Sequence, residues 1–349
     1  MADWLPNDIL FMRRALELAT LGRGSVSPNP LVGCVIVHGD RVIGEGWHQR
    51  YGEAHAEVNA VRAVADPALF PEATAYVTLE PCAHFGKTPP CADLLIQKKI
   101  KRVVICNEDP FPLVDGRGIQ KLLAAGIEVQ TGLLAEEGRE LNQRFFTWVE
   151  KKRPYIFLKW AETADGFMAP PDRRPVAISG ALSHQLVHKW RTEEDAVLVG
   201  TATARHDNPR LNARLWQGRN PTRLVIDRTL QLPPDLHLFD GSQPTRVYYE
   251  TGSPVAQEGV TYVPLSADEP FLPQLLADLY HNKLQSVIVE GGAALLESFL
   301  KEGLWDEAQV FKSPKTLGAG VAAPMVRGTL KSSEKIGEDW LMSYHSPRF

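Results

Sequence analysis

Cysteine is scarce in this chain. There are four in 349 residues, two inside apolar runs (Cys34 and Cys106) and two flanking a loop (Cys82 and Cys91). So few thiols exclude a disulfide framework and fit a reducing compartment, and Cys34 and Cys106 read as small core hydrophobes. A basic excess is missing too. The net charge of −4 offers no surface for a polyanion, which excludes nucleic acid as the substrate class but not a small phosphorylated molecule. No run of about 18 apolar residues occurs, so no membrane partner is expected. The opening Met1-Ala2-Asp3-Trp4-Leu5-Pro6 has neither a basic n-region nor an apolar h-region, so no secretory leader is predicted and a cytoplasmic location is the default. G-x-G-x-x-G and Walker A loops are absent, which removes Rossmann and P-loop readings. Repeats and low-complexity tracts are absent as well, and the length suits about two ordinary globular domains.

What the chain does contain is His55-Ala56-Glu57, followed by Pro81-Cys82 and then Cys91. One imidazole and two thiolates suit zinc and leave its fourth position open, as a catalytic site requires. Zinc brings the pKa of its water toward neutrality. The zinc-deaminase signature is H-x-E…P-C-x-x-C, with the Glu a proton shuttle and not a ligand. Here the two Cys stand nine apart rather than three. The longer loop, Pro81-Cys82-Ala83-His84-Phe85-Gly86-Lys87-Thr88-Pro89-Pro90-Cys91, is shaped by Pro and Gly and carries His84 and Lys87, groups that suit an anionic substrate such as a phosphate.

Periodicity organises the rest. Residues 8–21 form an amphipathic helix with Ile9, Met12, Leu16 and Ala19 on one face and Asn7 or Asp8 as N-cap. Strands are predicted at 31–37, 41–45, 75–79, 103–106 and 127–130, and helices at 55–65, 92–97 and 118–125. This order predicts an α/β sandwich around a mixed sheet, with both metal segments at strand-to-helix junctions where the helix dipole favours thiolate. The boundary falls in the charged, Pro-closed stretch 149–154, giving domains at 1–148 and 154–349. In the second, strands are predicted at 155–160, 196–199, 223–227, 246–250 and 286–290, and helices at 182–191, 272–281 and 293–302. Two strand–glycine–helix joints, Val199-Gly200-Thr201 and Glu290-Gly291-Gly292-Ala293, would admit a phosphate to backbone N–H groups, although such glycines also serve packing.

The N-terminal motifs closely resemble the deaminase half of the bifunctional deaminase/reductase family of riboflavin biosynthesis, whose pattern has the longer Cys spacing. Pro28-Asn29-Pro30, Val32-Gly33-Cys34, Gly44-Glu45-Gly46-Trp47-His48 and Thr78-Leu79-Glu80-Pro81-Cys82 carry the likeness, which continues through nearly the whole chain. Leu158-Lys159-Trp160-Ala161, Asp165-Gly166, Arg191, Asp207-Asn208-Pro209, Leu211, Arg214 and Glu290-Gly291-Gly292 resemble the reductase half. The resemblance implies a cytidine-deaminase-like three-layer α/β/α domain and a dihydrofolate-reductase-like α/β domain. It implies one Zn2+ on His55, Cys82 and Cys91, Glu57 as catalytic residue, and Asn29, His48, His84 and Lys87 toward the deaminase substrate. It also implies NADPH on Ala161, Thr203, Asp207 and the segment from Glu290 through Gly291 and Gly292, and reductase substrate on Arg191, Leu211, Arg214 and Glu290. Arg offers phosphate a bidentate fork.

The implied reactions are hydrolytic deamination of a phosphoribosylated diaminopyrimidinone and NADPH-dependent reduction of its ribosyl group to ribityl, in a homo-oligomer (dimer or tetramer). The chain departs from the family at one stretch. Where the family has Ser-x-Trp, contacting substrate and cofactor, Pro175-Val176-Ala177 stands, beside the basic Pro170-Pro171-Asp172-Arg173-Arg174. A nearby Arg could replace the lost contacts, or NADPH binding is weakened. Two rivals follow: a single-activity zinc deaminase with a degenerate or repurposed reductase domain, and a scaffold whose structural zinc is closed by His84.

Overall fold

The structure is a computed structural model and describes residues 4–85, 89–111 and 114–347. The chain divides into two compact units, Met1–Lys152 and Arg153–Phe349.

The first unit runs α1 (Asp8–Thr20), β1 (Gly33–His38), β2 (Arg41–Trp47), α2 (Ala56–Ala63), β3 (Ala73–Leu79), α3 (Cys91–Gln97), β4 (Arg102–Asn107), α4 (Arg117–Ala124), β5 (Glu128–Thr131), α5 (Ala135–Leu141) and α6 (Gln143–Lys151). Among the described residues its strands make one five-stranded sheet in the order β2-β1-β3-β4-β5. β1 is antiparallel to both β2 and β3, while β3, β4 and β5 are parallel. Strand alternation divides the core into two layers. Cys34, Ile36, Val77, Val103 and Ile105 pack with Ala56, Ala60, Leu95 and Leu122 from α2, α3 and α4. Val35, Val37, Tyr76 and Val104 face Met12, Ala15 and Leu18 of α1. The result is the expected three-layer α/β/α sandwich.

The buried face of α1 is rotated from the predicted one. Phe11, Met12, Ala15, Leu18 and Ala19 are buried, whereas Ile9 is 45% exposed and Leu16 half-buried. The cause is Asp8. Its fully buried carboxylate accepts from Arg102 Nη1 and Nη2 at 2.9 and 2.8 Å and from the Tyr76 hydroxyl at 2.6 Å. Asn7 occupies the N-cap position without a capping bond, and its amide donates to Asp40 instead.

The second unit runs β6 (Tyr155–Glu162), β7 (Phe167–Ala169), α7 (Ala181–Glu193), β8 (Ala196–Val199), α8 (Thr201–Asp207), β9 (Thr222–Ile226), β10 (Thr245–Tyr249), β11 (Val260–Pro264), α9 (Phe271–His281), β12 (Ser286–Val289), α10 (Ala293–Glu302), β13 (Glu307–Lys312), β14 (Val321–Ala322), β15 (Thr329–Ile336) and β16 (Asp339–His345). Among the described residues nine strands form one sheet, β11-β10-β9-β8-β12-β6-β13-β16-β15. It is parallel from β11 to β13, and β16 and β15 add an antiparallel edge. Both faces are covered, as a parallel sheet requires. Leu158, Leu198, Leu224 and Val289 pack with α9 and α10, and Phe157, Val197, Val225 and Ile288 pack with Ala204 of α8 and Trp190 of α7. Among the described residues no helix is long and apolar enough to cross a membrane.

Candidate active sites

The first site depends on a close approach of α2 to β2. Gly46 lies so near α2 that a Cβ there would stand 2.3 Å from the Ala60 nitrogen, so only Gly lets this helix settle on β2. His55 is the N-cap of α2 and Glu57 lies in its first turn. Cys82 follows β3, and Cys91 opens α3. The His55 Nδ1 is 3.7 Å from Cys82 Sγ and 3.4 Å from Cys91 Sγ, and the three donor atoms lie within 4.8 Å of one another. Zinc bonds of about 2.0 Å to N and 2.3 Å to S at a tetrahedral angle place N and S about 3.5 Å apart, so these residues could hold a zinc ion without rearrangement. His84 does not belong to the three-donor cluster; its Nδ1 is buried without a partner.

Glu57 is 3% exposed, and burial together with the Cys82 thiolate pushes its carboxyl up to about 7. The Cys82 thiol is pushed down to about 4 by hydrogen bonds from Cys91 and His55, opposed by burial, while the bond to Cys82 and burial push Cys91 up. Beside His55, the buried His48 ring makes a T-shaped contact at 5.3 Å between centroids. His48 Nδ1 faces the Ala54 carbonyl at 3.1 Å and therefore carries the proton. Its Nε2 then accepts from the Asn29 amide at 3.0 Å. Burial lowers the pKa of this ring. Asn29, His48 and His55 thus form one connected group. Lys87 lies outside the described residues.

Sequence reading missed Glu80. Its carboxylate is buried and accepts backbone N–H groups from Asp109, Gly116, Gly118 and Ile119 at 3.3, 3.0, 2.8 and 3.2 Å. The position within Thr78-Leu79-Glu80-Pro81-Cys82 was the available signal, but its partners lie 29 to 39 residues on, in the segment before α4 and in its first turn.

In the second unit a cleft of about 380 Å³ is lined by Gly200, Thr203, His206, Asp207, Glu290, Gly291 and Gly292, with Arg173 and Val321 among its other walls. It collects the residues expected to meet NADPH, Ala161 excepted; that side chain packs against Val187, Phe311 and Leu341. The cleft's glycine joint lies at the start of the ten-residue α10, where free N–H groups favour a phosphate, so these residues could hold a dinucleotide. Glu290 also meets Arg191, whose Nε and Nη2 donate to its two oxygens at 2.6 and 2.7 Å, while Nη1 donates to the Asn212 carbonyl at 3.0 Å. The Arg191 fork expected to meet a phosphate is thus engaged by Glu290. Burial would raise the Glu290 carboxyl, but Arg191 and then Lys159 hold it at about 2. Lys159 is the residue missed here. Its Nζ lies 3.9 Å from Glu290, and burial lowers its pKa. Leu211 packs in the core at φ +51° with Tyr155 and Phe157, and Arg214 is exposed with Asn212 as its hydrogen-bond partner. Pro175 and Ala177 are exposed and do not line the cleft; Arg173 does.

Residues 154–342 match the RibD C-terminal domain family, and residues 6–107 match the zinc-binding region of cytidine and deoxycytidylate deaminases. The riboflavin biosynthesis protein RibD of Actinobacillus pleuropneumoniae is 40% identical over 358 aligned residues, which cover 97% of this chain and 95% of that protein. The chain belongs to the RibD family. Escherichia coli RibD is 36% identical, with 95% of this chain and 93% of that protein covered. Among solved structures, Acinetobacter baumannii RibD superposes with a TM-score of 0.89 at 36% identity, covering 97% of this chain and 99% of that one. The Thermotoga maritima diaminohydroxyphosphoribosylaminopyrimidine deaminase/5-amino-6-(5-phosphoribosylamino)uracil reductase gives 0.88 at 36% identity, covering 97% and 98%. As a RibD protein the chain is a bifunctional enzyme of riboflavin biosynthesis, with a zinc-binding deaminase domain and an NADPH-using reductase domain both present.

Proposed function

We propose that residues 1–148 deaminate a phosphoribosylated diaminopyrimidinone and residues 154–349 reduce the resulting 5-amino-6-(5-phosphoribosylamino)uracil, the steps for which the Thermotoga maritima relative is named. The observation that carries this reading is the His55, Cys82 and Cys91 cluster beside a carboxylate, Glu57, buried in the same helix turn. When bound, zinc supplies the Lewis acidity that makes water nucleophilic near neutral pH. Glu57 would accept one proton of the attacking water and pass it to a ring nitrogen, then carry the water's second proton to the exocyclic amine, which leaves as ammonia. Because the Asn29 amide nitrogen is turned to His48, its oxygen is the atom that accepts from the substrate's amine or ring N–H. His84 and Lys87 serve the ring and phosphate.

In the reductase domain NADPH carries the hydride, and the protein's share is orientation. Thr203, Asp207 and the Glu290–Gly291–Gly292 joint form the cofactor cleft. Ala161, which does not line the cleft, acts only through its packing on β6. Arg191 fixes the Glu290 carboxylate so that it accepts from the pyrimidine, Arg214 faces the phosphate, and the Leu211 turn shapes the wall between them. Four free thiols suit a cytoplasmic setting, and a dimer or tetramer is the proposed assembly, testable by light scattering.

The zinc-loaded protein, offered the diaminopyrimidinone without NADPH, releases ammonia, and Glu57→Gln loses this release by about 100-fold or more with zinc retained. X-ray absorption gives one nitrogen, two sulfurs and one oxygen around the metal. A variant that keeps full ammonia release would remove Glu57 from its role.

A further inference from the structure

The basic side chains lining the reductase cleft are Arg173 and His206, beside the carboxylates of Asp207 and Glu290. Glu290 is already paired with Arg191. The acid nearest Arg173 in sequence, Asp172, is turned to Arg174, with Nε 3.4 Å from its carboxylate and the Arg174 N–H donating to it at 3.2 Å. Among the described residues no ion pair engages Arg173. A guanidinium therefore enters the cleft with its charge uncompensated.

Its delivery is rigid. Pro170 and Pro171 fix two consecutive φ angles, and the Arg173 N–H closes the turn on the Pro170 carbonyl at 3.0 Å, with Arg173 itself at φ +57°. The turn leaves the end of β7, which β14 holds through the pairing of Val321 with Ala169. Met168, Ala169 and Val321 are cleft walls next to it. The same cleft contains the Gly291-Gly292 joint, whose N–H groups also favour negative charge. Pro175 and Ala177, which stand where the family places a hydroxyl and an indole, take no part in the lining.

We infer that Arg173 pairs with a phosphate of NADPH. This rests on the cleft being the cofactor site. A guanidinium recognises phosphate by paired N–H donors, and the dinucleotide offers two sources, the 2′-phosphate and the bridging diphosphate. Among the described residues no other Arg lines the cleft, so Arg173 is the guanidinium there that a cofactor phosphate would meet.

Titration of the intact zinc-loaded enzyme with NADPH and, separately, NADH, followed by fluorescence or calorimetry, tests this without any turnover. Arg173→Ala weakens NADPH binding about tenfold. NADH affinity left unchanged assigns Arg173 to the 2′-phosphate; an equal loss for NADH assigns it to the bridging phosphates. The comparison variant is Gly292→Asp, whose Cβ would stand 3.1 Å from the Thr203 hydroxyl oxygen and whose carboxylate adds negative charge at the cleft's glycine joint, abolishing binding of both cofactors. Unchanged affinities in Arg173→Ala, with binding lost in Gly292→Asp, overturn the Arg173 assignment alone. Normal NADPH binding by folded Gly292→Asp overturns the cleft reading and Arg173 with it. Arg173 is exposed, so its replacement leaves the fold intact, which a thermal melt verifies.

Discussion

The Gly118 amide donates to the Glu80 carboxylate at 2.8 Å, and a Cβ at Gly118 would stand 2.0 Å from the Pro81 carbonyl oxygen. The first turn of α4 is therefore pressed against the peptide that leads into Cys82, and one buried carboxylate holds four of the surrounding N–H groups.

Glu80→Gln replaces a four-bond acceptor by an amide whose NH2 opposes N–H donors. We expect a loss of about 1–3 kcal/mol in the deaminase domain and weaker zinc retention, measured by chelator competition. Cobalt-substituted protein would show the change directly in its thiolate bands. Unchanged zinc affinity would confine Glu80 to a structural role.

Asp8 and Arg102 form a buried bidentate pair, with side chains 0% and 6% exposed. Asp8→Ala strands the guanidinium and costs about 3–5 kcal/mol by denaturant unfolding. The double change Asp8→Leu with Arg102→Met recovers most of it. Deaminase turnover of the folded fraction stays at the wild-type value.

That pair also marks how far the sequence could be read. Periodicity located α1 but placed Ile9 inside, because an acid's burial depends on an Arg 94 residues away. The zinc residues were legible because a metal needs a short, ordered set of donors, and the β3–Cys82 and Cys91–α3 junctions follow from it. Strands β7, β11, β13, β14, β15 and β16 escaped notice; β15, Thr-Leu-Lys-Ser-Ser-Glu-Lys-Ile, is a largely exposed edge whose polar sequence carries no alternation. The engagement of Arg191 by Glu290 was equally invisible, since the partners lie 99 positions apart and meet only when α7 packs near the end of β12.

His188 is 4% exposed, its Nδ1 has no partner, and burial, then Arg191 and Arg214, push its pKa from 6.5 down to about 4. The unfolded chain thus binds this proton at higher pH than the folded one. Stability of the reductase domain falls as pH drops from 6.5 toward 4, and His188→Gln flattens that slope. Melting temperatures across this range, wild type against variant, check it; parallel curves would contradict it.

The four thiols separate into two classes. Cys34 and Cys106 are 0% and 1% exposed in the core, whereas Cys82 and Cys91 belong to the donor cluster. Zinc-loaded native protein reacts slowly with a thiol reagent, chelation exposes the half-buried Cys82 thiol to fast reaction, and denaturation releases all four. Rapid reaction at Cys82 and Cys91 with zinc bound would argue against their ligation.

The most direct measurement gives the purified enzyme the phosphoribosylated diaminopyrimidinone and follows ammonia and NADPH absorbance together, first without NADPH and then after its addition. The account predicts ammonia at once, no further product until NADPH is added, and then one NADPH oxidised per ammonia released, with Glu57→Gln silencing both signals. Silence from zinc-loaded, folded wild-type protein, or ammonia release with no NADPH oxidation, would contradict it.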